Sequence, residues 1–236
     1  MSASSLLKTR TRIKLCGMTR EQDVDAAVAA GVDAVGFVLY APSPRAVTAR
    51  RAGELARRLP SFVTPVLLFV NPSPQEVEAA CAGVPNATLQ FHGDESARAC
   101  QDLAGARPYL RAARIPLGPD AASFDLVKYA TTYFQAQAIL LDAHVDGFGG
   151  GGKVFNWSLL PPSVNAHLVL SGGLTAANVG DGMAQLLLRG KSLAVDVSSG
   201  IEADGPGGTT QKGIKDAHKI NQFVAAVRAA DEHLAG

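Results

Sequence analysis

Short apolar segments alternate with amphipathic ones along the chain, and their order predicts repeated strand–helix units. In the first unit, Arg12 to Cys16 alternates polar and apolar side chains as a strand does. A helix is predicted to start at Thr19, with Gln22 as its capping-box partner, and to end before Gly31, which suits a left-handed residue. Ala34 to Leu39 is then a nearly continuous apolar run, typical of a strand covered on both faces.

Eight strand-like segments recur in this way, each followed by a helical pattern. They are centred near Ile13, Val35, Val66, Leu89, Leu110, Ile139, Val169 and Val195. Strands that alternate with helices pair in parallel, and a fully parallel set of eight favours closure into a barrel. The sequence therefore predicts an α/β protein with a single (β/α)8 TIM barrel over residues 12–236, after a flexible N-terminal tail of residues 1–11. An open doubly wound sheet is the alternative.

Composition and charge exclude several classes of protein. Hydrophobic residues make up 47% of the chain, enough for a real core, and the net charge of +1 favours neither nucleic acid nor an anionic membrane. We find no apolar run of about 18 residues, no secretory signal, and three cysteines without zinc or disulfide spacing. These features predict a soluble, cytoplasmic, metal-free protein that acts on a small molecule, with a monomer as the default state.

Two residues at predicted strand ends are candidates for acid–base chemistry. Cys16 ends the first strand and Asp142 ends the apolar run of the sixth. The carboxyl ends of barrel strands meet at one mouth, where active sites are built. The alternatives are a loop-capping aspartate and a cysteine that is merely a small buried hydrophobe. In one mouth, however, the carboxyl and the thiol would form an acid/base pair, and a modest downward shift of the thiol pKa from about 8.5 gives thiolate at neutral pH.

Three polar side chains are candidates for substrate binding. Arg45 follows Pro42-Ser43-Pro44, a stiff loop that would hold a guanidinium ready to grip a carboxylate with two hydrogen bonds. The alternative is a solvated loop arginine. Gln90 and His92 alternate on the fourth strand, so both point to the same side and would contact sugar hydroxyls, unless His92 satisfies a neighbouring loop instead.

Glycine-containing loops follow the seventh and eighth strands, and they predict a phosphate site. The first contains Gly172 and Gly173, and the second contains Ser199 and Gly200. Glycines let backbone amides approach an anion closely, and barrels often bind phosphate in these two loops. Ordinary turn glycines are the alternative.

Taken together, these residues closely resemble the phosphoribosylanthranilate isomerase family of tryptophan biosynthesis. The matching segments are Lys14–Thr19, Gly36–Arg45, Phe69–Asn71, Leu89–Glu95, Leu140–Asp142, Phe155–Trp157, Ser171–Leu174, Asn178, Asp196–Glu202 and Gly213–Asp216. They run in a consistent order from Lys14 to about Val227 and cover nearly the whole chain.

The resemblance implies a cofactor-free barrel that catalyses an Amadori rearrangement. The substrate would be N-(5-phosphoribosyl)anthranilate and the product 1-(2-carboxyphenylamino)-1-deoxyribulose 5-phosphate. By resemblance, Asp142 is the general acid and Cys16 the general base. Arg45 would hold the anthranilate carboxylate, and the loops at Gly173 and at Ser199-Gly200 would hold the phosphate.

Two segments depart from the family's pattern. Gly149–Gly152 and Asn156 stand where the family usually has a hydroxyl residue and an aspartate, which bears on loop ordering and not on the acid/base pair. Ala203–Gly213 is longer than usual and has no functional explanation from the sequence.

Two other functions fit parts of the same pattern. The related isomerase of histidine biosynthesis shares the barrel and the reaction type, but it uses aspartate where this chain has Cys16 and it has two phosphate-binding halves. A non-catalytic phosphate-binding barrel is the second alternative, and the presence of both Cys16 and Asp142 is evidence against it.

Overall fold

The protein forms a closed eight-stranded parallel barrel, as predicted. A computed structural model describes residues 10–117, 123–143 and 156–235. The strands pair in chain order, and the last pairs with the first, so the open-sheet alternative is wrong. The barrel strands are β1 (Arg12–Cys16), β2 (Ala34–Val38), β3 (Thr64–Phe69), β4 (Thr88–Phe91), β5 (Tyr109–Ile115), β6 (Ala138–Ala143), β7 (His167–Leu170) and β8 (Ser192–Val197).

Helices follow the strands and cover the outside of the barrel. In the described ranges they are α1 (Glu21–Ala29), α2 (Ala49–Ala56), α3 (Pro74–Gly83), α4 (Ala97–Ala104), α5 (Leu126–Thr132), α6 (Val179–Leu186) and α7 (Ala217–Ala235). A 3-10 turn, Trp157–Leu159, precedes β7, and the Asn156 side chain accepts a hydrogen bond from the Ser158 N–H at its start. The Gly149–Gly152 segment, which departs from the family's pattern, lies outside the described residues.

Polar side chains begin most of these helices, whereas α1 begins differently from its prediction. Ser73 and Glu76 form a capping box at the start of α3. No side chain caps α1, which starts at Glu21, because the Thr19 hydroxyl donates instead to the Gly213 carbonyl oxygen at 2.6 Å. The predicted α1 capping box is therefore wrong. Gly31 does follow this helix with a left-handed φ of 76°.

Side-chain alternation along the strands separates an outer core from the barrel interior. The main core packs strand residues such as Leu15 and Phe37 against the helices. A separate cluster, formed by Cys16, Val38, Leu68 and Val70, contains no helix residue. Because successive strand side chains point to opposite faces, Cys16 and the residues in phase with it point into the barrel.

The long segment after β8 is an antiparallel hairpin. Strand β9 (Glu202–Asp204) pairs with β10 (Thr210–Lys215), with a 3-10 turn at Pro206–Gly208 between them. The hydrogen bond from Thr19 to Gly213 joins β10 to the loop after β1. The hairpin therefore lies against the β1 side of the mouth.

The chain contacts the barrel one residue before β1 starts. Thr11 is buried, and its backbone N–H donates to the Asp231 carboxylate at 3.1 and 3.2 Å. Of the predicted tail of residues 1–11, residues 1–9 lie outside the described part of the chain. Within the described ranges, no helix has both the length and the apolar character needed to cross a membrane.

Candidate functional site

Cys16 lies beside a buried ion pair inside the barrel. Lys14, in phase with Cys16 on β1, places its Nζ 2.8 Å from Asp196 Oδ1 on β8, and the Ser171 hydroxyl donates to Asp196 Oδ2 at 3.3 Å. Gly36 faces Cys16 from β2, where a Cβ would lie only 2.8 Å from the sulfur. A glycine is therefore needed at Gly36 to leave room for the thiol.

This environment changes the titration of both β1 side chains. Burial disfavours the Lys14 ammonium, but attraction to Asp196 and Cys16 outweighs it and raises the pKa of Lys14 to about 12. Burial also raises the pKa of Cys16 above its usual value, although the Lys14 charge opposes this. This shift is opposite in direction to the one that would give thiolate at neutral pH, because loss of solvation outweighs the cation in this site.

Asp142 lies in the same interior, on the β6 side of the mouth. Its Oδ1 accepts the Ala143 backbone N–H at 3.0 Å, and its Oδ2 lies 3.0 Å from His92 Nε2. His92 Nδ1 in turn lies 3.1 Å from Gln90 Nε2. Gln90 and His92 do point to the same side of the sheet, as predicted. His92 contacts Asp142 rather than a neighbouring loop.

A continuous series of contacts joins the two sides. Gly172, after β7, packs against Asp142 so closely that a Cβ there would lie 2.8 Å from Oδ1. Its neighbour Ser171 donates to Asp196, which holds Lys14 beside Cys16. Cys16 and Asp142 therefore line one mouth at the carboxyl ends of their strands.

The loop after β7 contains two glycines in a backbone conformation that other residues rarely adopt. Gly172 and Gly173 have left-handed φ values of 79° and 63°. Asn178 fixes the loop, because its Nδ2 donates to the Gly173 carbonyl oxygen at 3.0 Å and its Oδ1 accepts from the Thr175 N–H at 2.8 Å.

The loop after β8 packs directly on the loop after β7. Ser199 and Gly200 open a 3-10 turn, Ser199–Ile201. A Cβ on Gly200 would overlap the Leu174 carbonyl oxygen, so only a glycine allows this contact. The four residues predicted for phosphate therefore lie in two touching loops that are partly exposed at the mouth.

Arg45 is buried and already paired. Its Nε and Nη2 donate to the two carboxylate oxygens of Glu202 at 2.6 and 2.8 Å, and its exposed fraction is 6%. The solvated-loop alternative is therefore wrong. These two bonds use one bidentate edge of the guanidinium and leave Nη1 for a ligand.

Glu202 lies at the centre of a second buried ion cluster. The Gly213 N–H donates to its Oε1 at 2.8 Å, and Lys215 Nζ lies 3.3 Å from the same oxygen. Burial disfavours the Glu202 carboxylate, but Arg45, Lys215 and the Gly213 N–H outweigh it and lower its pKa. Burial also lowers the pKa of Lys215 to about 8, although Glu202 opposes the shift.

Sequence reasoning assigned no role to Lys14, Asp196, Glu202 or Lys215. The sequence could have indicated the first two, because each is a charged residue in an apolar strand at a position whose side chain points into the barrel. No comparable signal marks Glu202, which lies 157 residues from Arg45 along the chain. In the part of the chain that the structure describes, no three or more His, Cys, Asp or Glu side chains are grouped to hold a metal ion.

Comparisons with known proteins agree with this geometry. Residues 13–226 match the family model described as N-(5'phosphoribosyl)anthranilate (PRA) isomerase. The N-(5'-phosphoribosyl)anthranilate isomerase of Methylibium petroleiphilum is 59% identical over 226 residues, which cover 96% of this chain and 98% of that protein. The crystal structure of phosphoribosyl anthranilate isomerase from Thermotoga maritima has a TM-score of 0.77 at 33% identity and covers 93% of this chain and 99% of that one.

A third comparison is with a solved structure that contains a ligand. It is a phosphoribosyl anthranilate isomerase in complex with reduced 1-(o-carboxyphenylamino)-1-deoxyribulose 5-phosphate. Its TM-score is 0.72 at 30% identity, and the match covers 93% of this chain and 99% of that chain.

Proposed function

Because the chain belongs to the N-(5'-phosphoribosyl)anthranilate isomerase family of tryptophan biosynthesis, we propose that its barrel mouth carries out this isomerisation with Cys16 as the base and Asp142 as the acid. The observation that supports these roles is the shared interior of the two side chains, joined through Gly172, Ser171 and Asp196. The substrate is N-(5-phosphoribosyl)anthranilate, a small molecule with a carboxylate at one end and a phosphate at the other.

The first step is opening of the sugar ring. Asp142 gives a proton to the furanose ring oxygen, the bond from C1 to that oxygen breaks, and the amine lone pair forms a protonated Schiff base. The resulting Asp142 carboxylate is stabilised by the Ala143 N–H that already contacts it. Proton transfer by a positioned group contributes about 10²–10⁴-fold to a rate.

The second step is removal of the C2 proton. Cys16 acts as thiolate and takes the proton. The C2–H electron pair forms a C1–C2 double bond, and the C1–N π pair moves onto the nitrogen of the protonated Schiff base. The enolamine then tautomerises to the ketone. Lys14 supports this role, because it holds a positive charge next to the sulfur at neutral pH. The substrate supplies its own electron sink, so we propose that no cofactor takes part.

The two ends of the substrate would bind to different groups around the mouth. The glycine loops after β7 and β8, with Gly172, Gly173, Ser199 and Gly200, would bind the phosphate through backbone N–H groups. Arg45 would bind the anthranilate carboxylate through Nη1, while Glu202 holds its other edge. Gln90 Oε1, which has no partner among the described residues, is available to a sugar hydroxyl.

We also propose that the protein works as a cytoplasmic monomer. The three cysteines are free and buried, as expected in a reducing compartment. The large hydrophobic side chains exposed in the described ranges are Phe62, Val127, Phe134 and Leu188. Val127 lies on α5 and Phe134 just after it, whereas Leu188 follows α6 and Phe62 precedes β3. Light scattering on the purified protein tests the monomer directly.

The test of the function is turnover by the purified protein in the presence of EDTA. Phosphoribosylanthranilate is generated in situ, and loss of the anthranilate fluorescence is followed. We expect steady-state turnover without added metal. Absence of turnover in the folded protein would contradict the proposed function, and turnover that depends on a metal would contradict the mechanism.

A further inference from the structure

Gln90, His92 and Asp142 form a hydrogen-bonded row inside the barrel, and one end of it carries an unpaired buried atom. Gln90 is fully buried, and its Oε1 has no partner among the residues that the structure describes. Its Nε2 lies 3.1 Å from His92 Nδ1, and His92 Nε2 lies 3.0 Å from Asp142 Oδ2. A buried carbonyl oxygen without a partner is unusual, so the orientation of this amide needs a physical reason.

The orientation of the amide determines where the proton of His92 lies. An amide nitrogen only donates, so Gln90 Nε2 requires a bare Nδ1 on His92. The proton of the neutral ring is then on Nε2, from which it donates to Asp142 Oδ2. The reverse orientation would leave both N–H donors of the amide unpaired, whereas the present one leaves one N–H and the carbonyl oxygen, and orphaned buried donors are rarer than orphaned acceptors. Burial therefore favours the orientation in which Gln90 donates.

This arrangement prevents His92 from accepting a second proton. A neutral imidazole can accept a second proton only at its bare nitrogen, which in His92 is Nδ1. The lone pair on Nδ1 that would accept this proton is already occupied by the Gln90 N–H. A further proton on the His92–Asp142 pair must therefore lie on the carboxyl group.

We propose that Gln90 is a positioning residue that holds His92 in the neutral Nε2–H form and thereby keeps the transferable proton on Asp142. Because Oδ2 accepts the His92 N–H, the acid proton is on Oδ1. When Oδ1 gives this proton to the ring oxygen of the substrate, the carboxylate that forms keeps its bonds to His92 and to the Ala143 N–H. This inference rests on the proposed role of Asp142 as general acid.

The first test is the ¹⁵N NMR spectrum of the His92 ring in the unliganded protein at pH 7, with its signals assigned by their loss in His92→Asn. We expect a neutral ring with the proton on Nε2. Gln90→Glu presents an acceptor to Nδ1 and is expected to give a doubly protonated ring. A wild-type ring with a proton on Nδ1, alone or in addition to Nε2, would overturn the proposal.

The second test is steady-state kinetics. Gln90→Glu is expected to lower kcat by about 100-fold and to raise KM by less than about 10-fold, because it disturbs the proton donor as well as the single proposed contact of Gln90 Oε1 with a sugar hydroxyl. Gln90→Leu, which lacks the added charge, is expected to lower kcat in the same way if the glutamate variant fails to fold. Thr88→Val, a buried change in phase with Gln90 on β4, is the matched control and should keep the wild-type kcat.

The outcomes separate this inference from the proposed function. An inactive wild-type protein contradicts the function whatever the state of His92. An active wild-type protein contradicts only the role of Gln90 if His92 is protonated on Nδ1, or if the Gln90 variants keep their kcat.

Discussion

The two sides of the barrel mouth surround their reactive groups with different chemistry. Cys16 lies next to the ion pair of Lys14 and Asp196, whereas the hydrogen-bond partners of Asp142 are an imidazole and a backbone N–H. A base must lose its proton in a buried site, and a neighbouring cation favours the anion. An acid must keep its proton, and such a cation would favour its loss. One interior therefore supports opposite roles through the neighbours of each group.

Removal of the acid tests the Asp142 side most directly. Asp142→Asn keeps the shape of the side chain but has no acidic proton, so we expect kcat to fall by about 10²–10⁴-fold with little change in KM. Steady-state kinetics measures this, with Asp102→Asn on the exposed face of α4 as the control. Near-normal turnover in Asp142→Asn would contradict the role of Asp142 as general acid.

Removal of the base tests the other side. Cys16→Ala deletes the sulfur, and we expect kcat to fall by about 10²–10⁴-fold while the protein stays folded, as circular dichroism would show. Cys100→Ala, a buried cysteine in the outer core, serves as the control and should keep its activity. If both alanine variants have similar kcat values, Cys16 is a packing residue and the contrast between the two sides does not hold.

Removal of the Lys14 charge tests whether this cation favours the Cys16 thiolate. The raised pKa of Cys16 means that its thiolate fraction, and with it kcat, should increase as pH rises above neutrality. Lys14→Met removes the charge that opposes this shift, so we expect about a tenfold lower kcat at pH 7 and a profile displaced to higher pH. Activity that recovers at high pH distinguishes this effect from misfolding. An unchanged pH profile, with Lys191→Met as the exposed control, would contradict the role of Lys14.

Substitutions of Arg45 and Glu202 test substrate binding separately from the proton transfers. We expect Arg45→Ala to raise KM by roughly tenfold while kcat changes less, because the substrate carboxylate loses its charge-assisted partner. Glu202→Gln keeps the Arg45 side chain but weakens the ion pair that holds it. We therefore expect KM to rise less in Glu202→Gln than in Arg45→Ala. An unchanged KM in Arg45→Ala would leave Arg45 with a structural role only.

The smallest expected effect is on stability at alkaline pH. Lys215 has a pKa of about 8 in the folded protein, whereas an unfolded lysine titrates near 10.5. Between these values the unfolded chain binds more protons, so this residue makes the free energy of unfolding rise with pH, by roughly 2 kcal/mol from pH 8 to pH 10. Denaturant unfolding of the wild type and of Lys215→Met isolates this contribution. The same pH dependence in both proteins would contradict it.

The sequence alone determined the barrel and the strand ends that carry its chemistry. Alternation of side chains along β1 places Cys16 in the interior, and the parallel order of the strands brings Asp142 to the same mouth. Both placements could be predicted, because they follow from the periodic pattern of the sequence. The glycines after β7 and β8 were predictable for a similar reason, since their positions follow directly from the strands that precede them.

The pairing of these groups depends on contacts between distant parts of the chain. The partner of Arg45 is Glu202 on β9, and the partner of His92 is Asp142 on β6, at separations of 157 and 50 residues. The direction of the Cys16 pKa shift also depends on the balance between burial and the Lys14 charge. Periodicity fixes the face on which a side chain lies, whereas hydrogen-bond partners and solvation depend on distances that only the closed barrel establishes.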